Sequence, residues 1–449
     1  MEVLAQAPQP TIKCYHSVVN SKAVKELYQE FTPNSSYVSG KNLQSYNYEK
    51  SIDNFGGSFS FTVKEDTENL SNPFMDKVQP LDIIVISESG YAEKIDFIGV
   101  VTTISVGGMA SNLNKSVTVS GKSIEWLFSY LNLNCDIKIA IFNNSEANKK
   151  FAADFADKNG TTGFTIKQIA VASIDMFKQQ VAAYKDISNY VISDLIDIWF
   201  ESNYIEASNE QFAYPISSNL FESGKVNVID FIKKMLPAPI YEIFCYINSS
   251  GKPKLVLRKV PFDNPDASFT IDPTKLSDYT LTRSCDEVYT AFMTYIEGTD
   301  MDPSFYMNLM AGEGDLKGYN YARPNAKKAA IYGYQLLTCS FVGYNASPDA
   351  TIDKDKISQM NKDLERWFSN LDEMYTGDFT LVNITKEKKA RIGEWMNFAN
   401  GQYYIVTEKH SWNYGDNPMI NYQVIRGGEY SNGNFKPVGR LSAVYKEFE

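Results

Sequence analysis

Short apolar segments recur along this chain with alternating polarity, separated by turns rich in Gly and Asn, and this rhythm limits the fold more than any other feature. In the stretch DNFGGSFSFTV, Phe55, Phe59, Phe61 and Val63 alternate with small or polar residues, which puts the large side chains on one face of a strand. Asp82 to Ile86 is a short apolar run after Pro80, and Phe97 to Ile104 and Val117 to Ser120 complete the set. Ser89-Gly90 and Gly107-Gly108 are turn signals between them. Several short strands punctuated in this way predict a small closed barrel. The rhythm returns late in the chain. Val288 to Glu297 is a long aromatic strand, and Phe379, Leu381, Tyr403, Ile405, Tyr422 and Val424 mark three more. Two strand-rich regions flanking a mixed centre suggest two related small barrels.

Helical spacing interrupts the strands. Ser21 can cap a segment carrying Val24, Leu27, Tyr28 and Phe31 one turn apart, which predicts a helix over 21–31. Ser123 to Leu131 reads as a short helix leaving the first barrel. Asn143 to Gly163 is rich in Asn, Lys, Ala and Gly and reads as an exposed insertion. From Asp186, Ile187, Val191, Leu195, Ile198 and Trp199 share one stripe. A second helix spans about Val226 to Leu236 and ends at Pro237 and Pro239. Ile240 to Ile247, a turn at Gly251 and Lys254 to Lys259 form a hairpin signal. Met301 to Asn325 is a polar loop, and Ile357, Met360, Leu364, Trp367 and Leu371 predict a helix over 355–371. The expected division is a first barrel with an N-terminal arm over 1–122, an α+β middle over 123–283, a second barrel over 284–430 with the helix inserted, and a tail over 431–449.

Composition narrows the chemistry. The 449 residues include 43 basic and 54 acidic side chains, a net charge of −11. A protein built to coat nucleic acid or anionic lipid needs the opposite balance, so neither specific nucleic-acid binding nor membrane insertion is expected. No apolar run approaches the ~18 residues of a membrane span, and Met1 to Pro10 lacks the marks of a signal peptide, so export by the usual route is not expected. With only His16 and His410, a site of several His ligands is excluded. Five scattered cysteines without a CxxC support neither a disulfide framework nor a zinc knuckle, and free thiols in a reducing cytosol are the simplest reading. The 29 Tyr and 27 Phe suit strands and interfaces.

Candidate reactive residues have plain explanations beside them. His410 neighbours Ser411, but a Ser-His pair of the hydrolase kind needs an elbow such as GxSxG, which is absent. Cys14 and His16 could form a dyad, yet i and i+2 on a strand share a face for packing reasons alone. Gly312, Gly314 and Gly318 match neither phosphate-loop spacing. Asp300, Asp302, Asp353 and Asp355 do not continue into a calcium loop. Lys386, Lys388, Lys389 and Arg391 form a basic knot that reads as a solvated turn or as a contact to an acidic neighbouring subunit. No catalytic residue, metal ligand or cofactor is assigned, and the chain reads as an assembly component rather than an enzyme.

Three stretches carry a family resemblance. Met235 to Asp263 places Pro239, Tyr241, Glu242, Phe244, Gly251, Leu255, Leu257, Arg258, Pro261 and Phe262 in the pattern of a helix end, prolines, an aromatic-acidic strand, a Gly turn and an L-x-L-R strand. Ala329 to Tyr334 contains Ile331, Tyr332 and Gly333, with Gln335 near the place of a basic residue in relatives. Gly377 to Gly428 holds Gly377, Arg391-Ile392-Gly393, then Gly401, Tyr403, Tyr404 and Val406, then His410 and Trp412. In the first barrel, Phe97 and Gly99 fit an F-x-G-x-V strand. In order and spacing the chain resembles the baseplate hub proteins of phage tails, similar to the T-even hub and to the first part of type VI spike proteins. The segments 143–163 and 301–325 depart from the pattern.

The resemblance implies an α+β, mainly β chain with two small Tudor-like β-barrels flanking an α+β connector. It implies a homotrimeric ring in which the two barrels of each subunit alternate. That ring would join a hexameric tail tube protein to a trimeric spike protein in a contractile injection system, with baseplate wedge or adaptor proteins and a tape-measure protein as further partners. Assembly in the bacterial host cytoplasm, a place in the virion tail and a lumen whose acidity lets DNA pass during ejection follow from it. The matched residues are expected to be scaffold, with His410, Trp412, Tyr403 and Tyr404 in the core. A tail-associated peptidoglycan hydrolase and a surface carbohydrate-binding protein are the competing readings.

Overall fold

The computed structural model describes residues 10–33, 42–65, 74–88, 94–108, 115–133, 164–179, 190–208, 211–212, 226–262, 269–297, 326–342, 354–382, 389–431 and 434–438. The expected insertion at 143–163 and the loop at 301–325 lie outside these residues. The fold is α+β and mainly β, organised around one large, mostly antiparallel sheet.

Seven strands open the chain: β1 (Thr11–Val19), β2 (Lys22–Phe31), β3 (Asn42–Ser51), β4 (Ser58–Glu65), β5 (Ile83–Ser87), β6 (Phe97–Gly108) and β7 (Lys115–Ser123). They pair antiparallel in the order β3–β4–β7–β6–β5–β1–β2. The sheet curls around one core, because side chains from all seven strands meet in it, including Ile12, Phe31, Leu43, Phe61, Ile84, Phe97 and Val119. Rings from non-adjacent strands touch: Phe31 of β2 lies 6.0 Å from Phe61 of β4, and Tyr48 of β3 stacks 4.7 Å from Phe97 of β6. Gly99 permits this closeness, since a Cβ there would stand 2.5 Å from the Phe59 ring.

The helix expected over 21–31 is instead strand β2. Asn20 and Ser21 both take positive φ, 51° and 60°, which makes the two-residue turn of a β-hairpin, and β2 pairs with β1 from Val19↔Lys22 to Ile12↔Phe31. Helical spacing misleads here because the apolar residues do not share a buried stripe: Phe31 is buried while Leu27 is 48% exposed.

The middle of the chain follows a 3-10 turn at Ile124–Tyr130, in the place of the expected short helix. It contains α1 (Ile166–Gln179), α2 (Val191–Trp199), β8 (Ile205–Ala207), α3 (Val228–Met235), β9 (Tyr241–Ile247) and β10 (Pro253–Lys259). Asn227 caps α3 by accepting the Asp230 N–H at 2.8 Å, and β9 and β10 form the expected hairpin with β8 parallel to β10. Strand β5 is buried throughout and serves two cores. Ile84 and Ile86 point into the first strand module, while Ile83 and Val85 pack with α1, α2 and α3.

The last third holds β11 (Leu276–Thr282), β12 (Ala291–Glu297), α4 (Ala326–Tyr332), β13 (Leu336–Val342), α5 (Lys354–Phe368), β14 (Tyr375–Val382), β15 (Trp395–Phe398), β16 (Gly401–Asn413) and β17 (Met419–Ser431). The second strand module runs β11–β14–β17–β16, with β15 on the near half of β16, around Phe379, Leu381, Met396, Tyr403, Ile405, Tyr422 and Val424. The strand expected over 288–297 does not join it. As β12 it pairs parallel with β13 in a separate two-stranded sheet, against which α5 packs Met360, Leu364 and Trp367.

Candidate functional site: the seam between the two strand modules

Strand β16 is thirteen residues long and its outer edge is shared. Its first residues pair with β15, and its last seven, Thr407 to Asn413, pair antiparallel with Ser51 to Ser45 of β3. That one pairing fuses the two modules into a continuous sheet. The register sets His410 opposite Tyr48 and Trp412 opposite Tyr46. The His410 ring stacks on Tyr48 at 4.4 Å, and Trp412, from the second module, packs into the core of the first.

Beneath the ladder lies a buried ionic cluster. Glu88, at the end of β5, is 1% exposed. Nδ1 of His410 lies 3.0 and 3.1 Å from its two oxygens, Tyr46 donates its hydroxyl at 3.0 Å, and the Lys389 ammonium pairs with it directly. Lys389 also stands 3.6 Å from Asp96, whose carboxylate accepts the Glu88 backbone N–H at 2.8 Å. Lys50 donates to the Asp96 carbonyl at 3.1 Å and lies 3.8 Å from Glu408. Burial alone would raise the Glu88 pKa, but the charges of His410 and Lys389 outweigh it and hold the carboxyl well below its ordinary range. Burial likewise opposes the Lys389 charge, and Glu88 and Asp96 reverse the effect and raise its pKa. Burial and the Glu88 charge push the Tyr46 hydroxyl far up. Burial thus opposes the ionised forms of Glu88 and Lys389 and the charges around them restore both, while Tyr46 remains a hydroxyl donor.

A second network ties the β9–β10 hairpin to the second module. Tyr404 donates to Glu242 with Oε1 and Oε2 at 2.5 and 2.6 Å, and Arg258 donates Nε to Glu242 Oε1 at 2.8 Å. The other end of Arg258 bonds the Gly393 carbonyl. Gly393 sits at φ +77°, and a Cβ there would stand 2.4 Å from Phe244 and 2.8 Å from Arg258. Only glycine lets the hairpin approach this closely.

The motif residues thus fall into groups. Glu242, Phe244, Arg258, Gly393 and Tyr404 converge at the hairpin. Phe97, His410 and Trp412 meet at the seam. Gly377 and Tyr403 lie within the second module, where Tyr403 packs 5.3 Å from Phe379 and a Cβ on Gly377 would strike the Thr280 carbonyl. Leu257 faces the middle core, Tyr241 packs at its edge, and Pro239 follows a cis peptide bond. Tyr332 and Gly333 stand apart on an exposed corner. Lys389 corrects the reading of the basic knot: it is neither a solvated turn residue nor a contact to another subunit, but the buried counter-ion of Glu88. Lys386 and Lys388 lie outside the described residues. Cys14 is fully buried and does not join His16, which stacks on Tyr28 at 3.8 Å and lies 3.2 Å from Asp82. Sequence reasoning missed Glu88, Asp96 and Lys50, since no local pattern sets them apart from surface charges.

Among the described residues no three His, Cys, Asp or Glu side chains are grouped as a metal ion requires, and no helix is long and apolar enough to cross a membrane. No family model matches the chain, and no curated protein matches it. Solved structures do. A tail protein from Neisseria meningitidis MC58 aligns at 8% identity with a TM-score of 0.48, over 93% of this chain and 96% of that one. The 43 kDa tail protein of prophage MuSo2 from Shewanella oneidensis aligns at 8% identity and 0.47, over 96% and 99%. An E. coli component of the type VI secretion system, described as structurally similar to the T4 tail proteins gp27 and gp5, aligns at 8% identity and 0.40, over 88% and 76%.

Proposed function

We propose that this chain is a structural hub of a phage tail or a phage-tail-like contractile particle, acting through assembly and force transmission rather than catalysis. The observation that supports it is the fusion of two β-modules, β1–β7 and β11 with β14–β17, into one sheet through the β3–β16 seam. Two similar modules in one chain let a ring of three chains present six near-equal contacts, so a threefold object can meet a sixfold tube on one face and a threefold spike on the other. Fixing the two modules relative to each other is what such an adaptor needs, and the buried Glu88–His410–Lys389 cluster with the β3–β16 ladder supplies it. The matched motif residues are scaffold in this reading. Tube, spike, wedge and tape-measure proteins are its partners, and the virion tail is its place after assembly in the host. Native mass spectrometry tests it: three copies of the 50.7 kDa chain in one complex are expected, alone or with a spike protein. A species that stays monomeric with both tube and spike proteins added contradicts it, and clearing of cell-wall substrate in a zymogram would favour a hydrolase instead.

A further inference from the structure

The two strand modules repeat each other in register. Tyr279 of β11 faces Phe379 of β14, which faces Tyr422 of β17. Tyr46 of β3 faces Phe61 of β4, which faces Val119 of β7. The irregularities coincide as well. Pairing slips between Leu276 and Asp278 as it does between Leu43 and Ser45. It slips between Ile405 and Thr407 as it does between Val101 and Thr103. Gly393, at φ +77°, donates its N–H to the Ile405 carbonyl at 2.9 Å, and Leu81, at φ +73°, donates to the Val101 carbonyl at 2.9 Å. Strands β3, β4, β7, β6 and β5 therefore correspond in order to β11, β14, β17, β16 and β15.

The seam uses this correspondence once. Strand β3 lies against residues 407–413 of β16. The matching half of β6, residues 103–108, carries β7 on one side. On the other side β5 ends its pairing at Val100, so that edge has no strand partner among the described residues. The counterpart of β3 is β11, and its outer edge also has no strand partner among the described residues. These two edges bound the row β11–β14–β17–β16–β3–β4–β7–β6 at its opposite ends. Unpaired backbone N–H and C=O groups along a strand are a template for another strand.

The side chains at the two edges suit such a contact. Carrying the seam register across sets Thr282 opposite Ser105, Leu281 opposite Val106 and Thr280 opposite Gly107. Val106 is 45% exposed and Leu281 half-buried, so the pairing covers an apolar side chain that otherwise meets solvent. Ser105, Thr280 and Thr282 are small, neutral and exposed. The β2 edge is different, because Lys22, Lys25, Glu26 and Glu30 are exposed along it, and a charged edge discourages pairing.

We propose that residues 103–108 of β6 receive strand β11 of a second copy of this chain, antiparallel and in the register of the seam. The contact joins unlike edges, so it continues from copy to copy and can close a ring. It rests on the hub reading only for the number of copies in that ring.

The test uses the full chain in a Cys285→Ser background, with Val106→Cys and Leu281→Cys introduced together. Opposed residues of an antiparallel pair lie within the Cα separation of about 4.4–6.8 Å that a disulfide spans. Mild oxidation is expected to give covalent trimers on a non-reducing gel, with none from either single-cysteine chain. Val106→Cys combined with Ser277→Cys is expected to give at least tenfold less product. Val106→Lys is expected to weaken self-association at least tenfold in sedimentation, with the circular dichroism unchanged. A wild-type trimer in native mass spectrometry without a 106–281 cross-link, or self-association that survives Val106→Lys, would overturn this contact and leave the hub reading standing. A 106–281 cross-link in rings of another number would keep the contact and contradict the hub reading. A chain that neither associates nor cross-links, with tube and spike proteins present, would overturn both.

Discussion

The imidazole Nδ1 of His410 lies 3.0 Å from a carboxylate oxygen of Glu88, across 322 positions of chain. The contact joins the two strand modules beneath the ladder that fuses them. With Lys389 it forms a buried polar cluster, and removing the Glu88 carboxylate strips the Lys389 ammonium of its direct counter-ion and leaves it with Asp96 at 3.6 Å. Glu88→Gln is therefore expected to destabilise the protein by about 3–5 kcal/mol, read as a lower urea midpoint. The double variant Glu88→Gln, Lys389→Met is expected to cost less than the sum of the two single changes, because the pair is removed together.

The seam should also fail in acid. The Glu88 pKa is lower in the folded protein than its ordinary value of 4.5, so its contribution is complete above about pH 4.5 and drains away as the pH falls through the folded value. Wild-type stability measured from pH 7 to pH 2 is expected to drop steeply in the acid limb. The Glu88→Gln variant is expected to show a shallower drop, and the two curves should approach each other at the acid end.

Trp412 sits on β16 but completes the core of the first module. Trp412→Ala is expected to cost about 3–5 kcal/mol by emptying that site. Because the side chain comes from the other half of the chain, the loss should loosen the seam as well as the core. Hydrogen exchange of the β3 amides facing β16 reads this directly: faster exchange there, with β17 amides little changed, is the expected pattern.

Gly393 carries both a positive φ and a close approach to Phe244 and Arg258. Gly393→Ala is expected to destabilise by about 2–4 kcal/mol, combining left-handed strain with overpacking. Thermal unfolding checks it. A loss no larger than that of an alanine placed at the open position Gly415, where a Cβ would meet nothing within 4 Å, would refute the close-packing explanation.

Much of the fold could be read from local pattern. Phe59, Phe61 and Val63 alternate because one face of β4 is buried, and the β9–β10 hairpin, α3 and α5 announce themselves through caps, prolines and apolar stripes. Strand β2 did not, because long-range pairing with β1 overrode a helical spacing; the signal for it was the Asn20-Ser21 turn. Helix α1 carries its signal in Ile166, Ile169, Ala170 and Phe177, whose helical spacing marks one buried stripe. The seam could not be read. Its pairing partners are hundreds of residues apart, and Lys389 within a run of basic residues looks like any solvated lysine until Glu88 is folded against it. The motif residues Glu242, Arg258 and Tyr404 were visible one by one, while their convergence on a single carboxylate is a property of the tertiary structure.

The most direct test of the central claim is electron cryomicroscopy of the assembled particle viewed down its axis. Two fused modules per chain in a ring of three predict six lobes of nearly equal density at low resolution, resolving at high resolution into two alternating kinds related by threefold symmetry. A ring with only three lobes, or with any other rotational order, would contradict it.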